Sequence, residues 1–215
     1  REPGSSGNER RHRLPAENEE ETREKGPLQH GAGEGEDSVV GDEPQGREFF
    51  AQAGQQQLVA QHEWSLQGRI AVSAPGDSGS GSLHWQQQGD HYRISVNAPV
   101  SGKTWTLAGD QAGASLSGLQ EQPSQASDAA SLLQRELGWK VPVADLAWWV
   151  RGLRAPGTSE MSFREDGLPA EIRQHGWVVE FRDYLADHDP LMPRRIFASN
   201  GRYTVRLIVQ QWRLP

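Results

Sequence analysis

The chain has 215 residues, no cysteine and a formal net charge of −7. Residues 1–46 account for −6 of that charge, with twelve acidic and six basic side chains, which leaves −1 for residues 47–215. The missing cysteines exclude disulfides, thiolate zinc sites and thiol catalysis within this sequence. No cluster of lysine and arginine lies beside the aromatic residues, so no nucleic-acid partner is expected.

Two regions differ sharply in composition. Residues 1–46 contain no Phe, Tyr or Trp and are rich in Glu, Arg, Gly and Ser, which predicts a disordered acidic tether. Residues 47–215 hold all eight tryptophans and are predicted to form the folded domain. The sequence contains no run of 18 apolar residues, so no membrane-spanning helix is expected. It starts at Arg1 without a methionine or an apolar leader, so processing upstream of Arg1 is expected. A leader that ends at a lipid-bearing cysteine is compatible with both observations.

The folded region begins with residues 47–62, whose Gln- and Ala-rich composition predicts a short helix. Alternating apolar residues then predict five strands joined by Gly-rich or polar turns, an antiparallel meander with one apolar face. The apolar members of these strands are Trp64, Leu66, Ile70 and Val72; Leu83 and Trp85; Tyr92, Ile94 and Val96; Trp105 and Leu107; and Ala114 and Leu116.

Two helices are predicted after this meander. Ser127 or Asp128 is expected to cap the first, and Gly138 to end it. Pro142 suits the first turn of the second, whose apolar residues Val143, Leu146, Trp149 and Val150 recur at helical spacing. Because Trp148 is also apolar, this second helix is expected to be inserted into an apolar environment.

Five further strands are predicted at 161–164, 170–175, 177–184, 195–199 and 203–212, with Asp166-Gly167, His175-Gly176 and Asn200-Gly201 as turns. The pattern therefore predicts a mainly β fold of about eleven strands with inserted helices. Whether its interior is a solid core or a ligand pocket is left open by the pattern.

Motifs for enzymatic or metal chemistry are weak. The stretch 76–80, Gly-Asp-Ser-Gly-Ser, is similar to a serine-protease nucleophile loop, but only about 30 residues of the folded region precede Ser78, too few for the upstream His and Asp; a flexible hairpin loop is expected instead. No HxH or HExxH pair occurs, and His84, His91 and His175 are expected at the surface. Asp183, Asp187 and Asp189 near His188 are interpreted as a surface connection. We therefore expect no enzyme, no metal and no cofactor.

Several segments, in this order, resemble the LolB family of outer-membrane lipoprotein receptors. They are the strand 64–72, the hairpin strand 92–100, the helical stretch 132–138, the segment 141–153 (Val-Pro-Val-Ala-Asp-Leu-Ala-Trp-Trp-Val-Arg-Gly-Leu), the segment 192–196 (Met-Pro-Arg-Arg-Ile) and the closing Trp212. The resemblance covers roughly residues 48–214. The long acidic segment departs from the family's usually short leader.

The resemblance implies a half-open antiparallel β-barrel lidded by helices around an apolar cavity. It further implies a monomer on the periplasmic face of the outer membrane, anchored through an acylated N-terminal cysteine upstream of this chain. Such a protein accepts acylated lipoproteins from a LolA-like periplasmic carrier and inserts them into outer-membrane lipid. A soluble, unanchored carrier of the LolA type is the alternative, and a hydrolase using Ser78 is a third.

Strand parity and helical spacing, combined with this resemblance, predict which residues face the acyl-binding interior: Trp85, Ile94, Trp105, Leu107, Leu133, Leu146, Trp149, Val179 and Val205. The resemblance also implies a membrane-insertion loop at Pro99 and Val100. Val100 takes the position of the protruding apolar residue, which is usually Leu in the family.

Overall fold

The computed structural model of the protein describes residues 54–98 and 102–215. Residues 54–60 form a helix, α1. The elements that follow are β1 (Glu63–Ala74), β2 (Asp77–Gln88), β3 (His91–Ala98), β4 (Lys103–Gly109), β5 (Ala114–Ser117), β6 (Ser124–Ala126), α2 (Ala129–Leu137), α3 (Val143–Trp149), β7 (Ser159–Phe163), β8 (Pro169–Gln174), β9 (Trp177–Leu185), β10 (Met192–Ser199) and β11 (Thr204–Arg213). The predicted tether, residues 1–46, and the predicted insertion loop at Pro99 and Val100 lie outside the described residues.

All eleven strands belong to one antiparallel sheet, in the order β6-β5-β4-β3-β2-β1-β11-β10-β9-β8-β7. The first strand pairs with the last: Leu66 of β1 lies opposite Trp212 of β11 and, on its other side, opposite Trp85 of β2. Strands β6 and β7 consequently form the two edges of an open sheet. The predicted mainly β fold of about eleven antiparallel strands with inserted helices is therefore confirmed.

One face of the sheet is apolar because side chains alternate along each strand. In β3, for example, Ile94 and Val96 are buried while Arg93 is exposed, and in β4 Trp105 and Leu107 are buried. These inward residues join those of β1, β2, β5 and β8–β11 in a single hydrophobic cluster. The helices lie against this face.

Helix α2 has the ends that the sequence predicts. The Asp128 carboxylate accepts a 2.8 Å hydrogen bond from the Ser131 N–H, and Gly138 ends the helix in the left-handed region at φ 69°. Helix α2 packs against β4, β5 and β6. Helix α3 is shorter than predicted, and Pro142 stands at its N-cap position rather than in its first turn.

Two local predictions were wrong. The stretch 76–80 is not a loop: the turn is confined to Pro75 and Gly76, and Gly79 lies inside β2, where a Cβ would come within 2.4 Å of the Trp139 ring. Glycine here permits close packing of that indole rather than flexibility. Strand β10 begins at Met192 instead of Arg195, because bulges next to Arg195 shift its pairing with β9 and disrupt the alternation visible in the sequence.

None of the three described helices has the length and apolar character that a membrane crossing needs.

Candidate functional site

The apolar face of the sheet and the helices enclose one continuous interior. All nine residues predicted to face it belong to the same buried cluster, and each is at most 6% exposed: Trp85, Ile94, Trp105, Leu107, Leu133, Leu146, Trp149, Val179 and Val205. Because Trp149 and Val179 are completely buried, a ligand reaches them only if the side chains around them move apart.

Tryptophan pairs join the elements that surround this interior. The Trp64 ring of β1 lies 5.3 Å from that of Trp85 and 5.7 Å from that of Trp212. On the β4 side, Trp105 and Trp139 meet edge to face at 6.1 Å. Such tilted and edge-to-face pairs bury large apolar areas with defined geometry. The indole rings therefore bring strands from both halves of the sheet to one centre.

Gln174 of β8 fixes helix α3 against the second half of the sheet. Its side-chain oxygen accepts hydrogen bonds from Trp149 Nε1 at 3.0 Å and from the Ala155 N–H at 2.9 Å, and its Nε2 donates to the Ala155 carbonyl at 2.7 Å. The amide is 3% exposed, so these bonds form without competition from water. Nearby, Oδ2 of Asp145 in α3 lies within hydrogen-bond distance of His175 Nδ1, at 2.9 Å.

A groove of about 580 Å³ opens beside this interior, where α3, β1, β2 and the β4–β5 connection meet. Three indoles line it, those of Trp64, Trp85 and Trp148, together with Arg151. Of the nine predicted interior residues, only Trp85 contributes to this lining. The groove therefore borders the apolar interior at members of its cluster such as Trp64 and Trp85.

Arg151 is the one Lys or Arg among the described residues that line this groove, and it is 6% exposed. Its Nε donates to the Ala147 carbonyl at 3.1 Å, and its Nη1 donates to the carbonyls of Leu58 and Gln61, both at 2.9 Å. Burial lowers the pKa of Arg151 to about 10, so the guanidinium is still protonated at neutral pH. The bonds to Leu58 and Gln61 tie α1 and the segment after it to the end of α3.

The guanidinium also lies between two indole rings. Its central carbon is 5.5 Å from the centre of the Trp64 ring and 5.2 Å from that of Trp148. Contacts of this kind stabilise a cation, the more so where water is excluded. Within residues 54–98 and 102–215, no carboxylate forms an ion pair with Arg151.

Comparison with known proteins assigns the chain to a family. The sequence model of the family described as "Outer membrane lipoprotein LolB" matches residues 62–212. The chain belongs to the LolB family.

Individual relatives give the same family. The chain is 39% identical over 190 residues to the outer-membrane lipoprotein LolB of Xanthomonas campestris pv. campestris strain 8004, covering 86% of this chain and 87% of that protein. It is 36% identical over 157 residues to the protein of the same name from Pseudomonas fluorescens, covering 73% and 77%.

Solved structures of similar shape include a LolA superfamily protein from Nitrosomonas europaea, with a TM-score of 0.48, 12% identity, and coverage of 77% of this chain and 93% of that one. A DUF1329 family protein from Desulfovibrio piger aligns with a TM-score of 0.49, 8% identity, and coverage of 79% and 92%.

Sequence reasoning missed two buried polar residues beside this interior, Arg151 and Gln174. Both belong to segments that looked apolar or surface-exposed, and all of their hydrogen-bond partners except Ala147 lie 19 to 93 residues away. The available signal for Arg151 was its position directly after the apolar helix 143–150. No group of three or more metal-ligating side chains occurs in the part of the chain that the structure describes.

Proposed function

We propose that the protein accepts acylated lipoproteins from a LolA-like periplasmic carrier and inserts them into the outer membrane. The observation that carries this proposal is the apolar interior between the sheet and helices α2 and α3, formed by one cluster of mainly Trp, Leu, Ile and Val side chains that contains no charged residue. Membership of the LolB family supports it. We place the protein on the periplasmic face of that membrane, anchored by a lipid on a cysteine upstream of Arg1.

The energetics of the cargo explain why an enclosed interior is required. Exposing an acyl chain to water costs about 0.8 kcal/mol per CH₂, so a chain of ~16 carbons costs on the order of 12 kcal/mol. An acylated protein therefore needs shelter at each step between carrier and bilayer. A half-open barrel provides that shelter if α2 and α3 move away from the sheet to admit the chains.

The interior also has to release what it accepts. Its walls are side chains that pack against one another when no cargo is present, so bound acyl chains compete with this internal packing. A bilayer imposes no such competition. The cargo is therefore retained less strongly here than in the membrane, which gives transfer its direction.

Transfer can be measured with purified components. A carrier loaded with an acylated lipoprotein is mixed with the full chain, and the cargo is followed by size-exclusion chromatography before and after liposomes are added. We expect cargo to move first to this protein and then to the liposomes, while the same cargo without acyl groups does not move. Retention of acylated cargo on the carrier would contradict the proposal.

The ligand-binding interior has its own test. Saturation with a diacylglyceryl-cysteine peptide is expected to protect tryptophan fluorescence from an aqueous quencher, because acyl chains then cover the indoles along the opening. The peptide without acyl chains is the control. Unchanged quenching at saturation would indicate a permanently filled core.

The alternative, an unanchored carrier of the LolA type, differs in one chemical respect. Mass spectrometry of the mature protein from cells is expected to show an acylated N-terminal cysteine for an anchored receptor. A mature chain without lipid would favour the carrier.

A further inference from the structure

The groove beside α3 contains a cationic donor that is only partly used. A guanidinium has five N–H groups, and in Arg151 the Nε and Nη1 groups donate to three backbone carbonyls. Its Nη2 has no acceptor among the described residues. In that same part of the chain, the only fully enclosed side-chain nitrogen or oxygen without a partner is Trp139 Nε1. Arg151 itself lines the groove, so its uncommitted N–H groups are the ones available to a ligand there.

The indole rings around the Arg151 guanidinium make the groove better suited to bind the head of a lipid than to hold only water. Trp64, Trp85 and Trp148 line the same groove, and two of these rings flank the guanidinium at 5.5 and 5.2 Å. An acceptor oxygen that reaches Nη2 brings the atoms bonded to it into contact with indole rings. This combination suits a carbonyl oxygen whose carbon atom carries a hydrocarbon chain.

The charges along the groove select among such oxygens. Four carboxylates line it, those of Asp90, Asp110, Asp128 and Asp145, whereas Arg151 is its only Lys or Arg. The four negative charges disfavour the approach of a phosphate or a free fatty-acid carboxylate. A neutral carbonyl oxygen still accepts from the cation without that repulsion.

We propose that this groove binds the ester end of a neutral acyl glyceride, with an ester carbonyl oxygen accepting a hydrogen bond from Arg151 Nη2 while the indoles cover the first methylene groups of the chain. Arg151 and the aspartates thereby distinguish the diacylglyceryl group of a lipoprotein from the anionic phospholipids of the surrounding membrane. This inference rests on the proposed function and adds the recognition of the polar head to it.

The decisive ligand pair is a diacylglyceryl-cysteine peptide with ester linkages and its dialkyl ether analogue, which keeps the chains and lacks the carbonyl oxygens. We expect the unmodified full chain to bind the ester at least about tenfold more tightly, the scale of one hydrogen bond to a charged group. In Arg151→Lys, whose ammonium lacks the fork of the guanidinium, this ester-to-ether ratio is expected to fall towards one. The ratio is insensitive to a uniform loss of folded protein.

A second variant avoids the structural hydrogen bonds of Arg151. Replacing Asp90 and Asp110 together by asparagine is expected to raise the affinity for phosphatidylglycerol several-fold relative to the affinity for diacylglycerol. Asp187→Asn, at an exposed position away from the groove, is the matched control and is expected to change neither. Competition by diacylglycerol and by phosphatidylglycerol against the acylated peptide distinguishes the two lipid sources.

Equal binding of the ester and ether peptides, or stronger competition by phosphatidylglycerol than by diacylglycerol in the unmodified protein, would overturn the inference. The proposed function would survive either result, since both peptides still bind through their chains. Failure of both acylated peptides to bind would instead count against the proposed function itself.

Discussion

Individual side chains with several partners hold the helices of this protein on its sheet. Gln174 is the clearest case, because one amide serves Trp149 of α3 and both backbone groups of Ala155. Arg151 joins α1 to the end of α3, because it donates hydrogen bonds to the carbonyls of Leu58 and Gln61. A buried polar group that loses such a partner retains the full cost of its desolvation.

Replacing Gln174 by alanine is therefore expected to lower the free energy of unfolding by about 2 to 4 kcal/mol, since Trp149 Nε1 and the Ala155 N–H lose their acceptor. Denaturant titration measures the change from the shift in midpoint. Gln211→Ala, at an exposed position of β11, serves as the control and is expected to stay within about 0.5 kcal/mol. Similar effects of the two substitutions would refute a bridging role for Gln174.

Val100 belongs to the β3–β4 connection, outside the described residues, and its role in membrane insertion stays a prediction. Burying one valine contributes at most about 1.5 to 3 kcal/mol, enough to favour docking of a protein already held by lipid but not to anchor it. Val100→Glu is expected to slow cargo release into liposomes and to leave acceptance from the carrier intact, while Val100→Leu keeps or improves release.

The control for this position is Gln88→Glu. It adds the same charge next to the β2–β3 turn, at the end of β3 that is remote in the chain from Val100. It is expected to leave release unchanged. If Val100→Glu abolished acceptance and left release unaffected, Val100 would belong to the docking surface for the carrier.

At the scale of elements, helix α2 depends on its ends. It has nine residues, a length at which an isolated helix is marginal in water. The Asp128 cap and the Gly138 stop satisfy backbone groups that the helix leaves free. Packing on β4, β5 and β6 then supplies the remaining stability.

Asp128→Ala is expected to cost about 1 kcal/mol of folding free energy through loss of the cap. Hydrogen bonds from the backbone and side chain of Ser131 lower the pKa of Asp128 in the folded protein. A lowered folded pKa stabilises the protein above the unfolded pKa, and this contribution is lost as pH falls through the folded pKa. Asp128→Asn keeps an acceptor and is expected to remove this acid-range pH dependence while costing less stability than alanine.

Urea titrations at neutral and acid pH provide the measurement. An alanine variant with unchanged stability at neutral pH, or an asparagine variant that retains the full pH dependence of the unmodified chain, would show that the cap has no such role.

The whole molecule combines a rigid sheet with a less firmly held cover. Strand β1 lies at the centre, hydrogen-bonded on both sides to β2 and β11. Helices α2 and α3 have nine and seven residues and are held mainly by side chains. The proposed entry of acyl chains into this buried interior therefore requires the helical cover to move while the sheet stays in place.

Amide hydrogen exchange on the full chain tests this division. We expect the amides of α2 and α3 to exchange through local opening, at a free energy below that of the central β1 and β11 amides. Asp128→Ala is expected to accelerate exchange in α2 further and to leave β1 unchanged once global stability is taken into account. Equal protection of helices and central strands would indicate that cargo enters only by global unfolding.

The sequence alone determined the features that depend on neighbouring residues. Alternation placed Ile94, Trp105 and Leu107 on the buried face, and capping chemistry located both ends of α2, because these signals act within a few residues. The apolar interior and the family were accessible for the same reason, since each rests on local patterns in a fixed order.

Only the tertiary structure decided the contacts between distant segments. The carbonyls that hold Arg151 lie 90 and 93 residues before it, and the Trp149 indole that Gln174 accepts from lies 25 residues away. Gly79 is another example, because the distant Trp139 ring leaves no room for a side chain at this position. The bulges next to Arg195 in β10 likewise depend on the pairing of β10 with β9. Local propensity carries no information about such pairs, because burial of the apolar face fixes which segments meet.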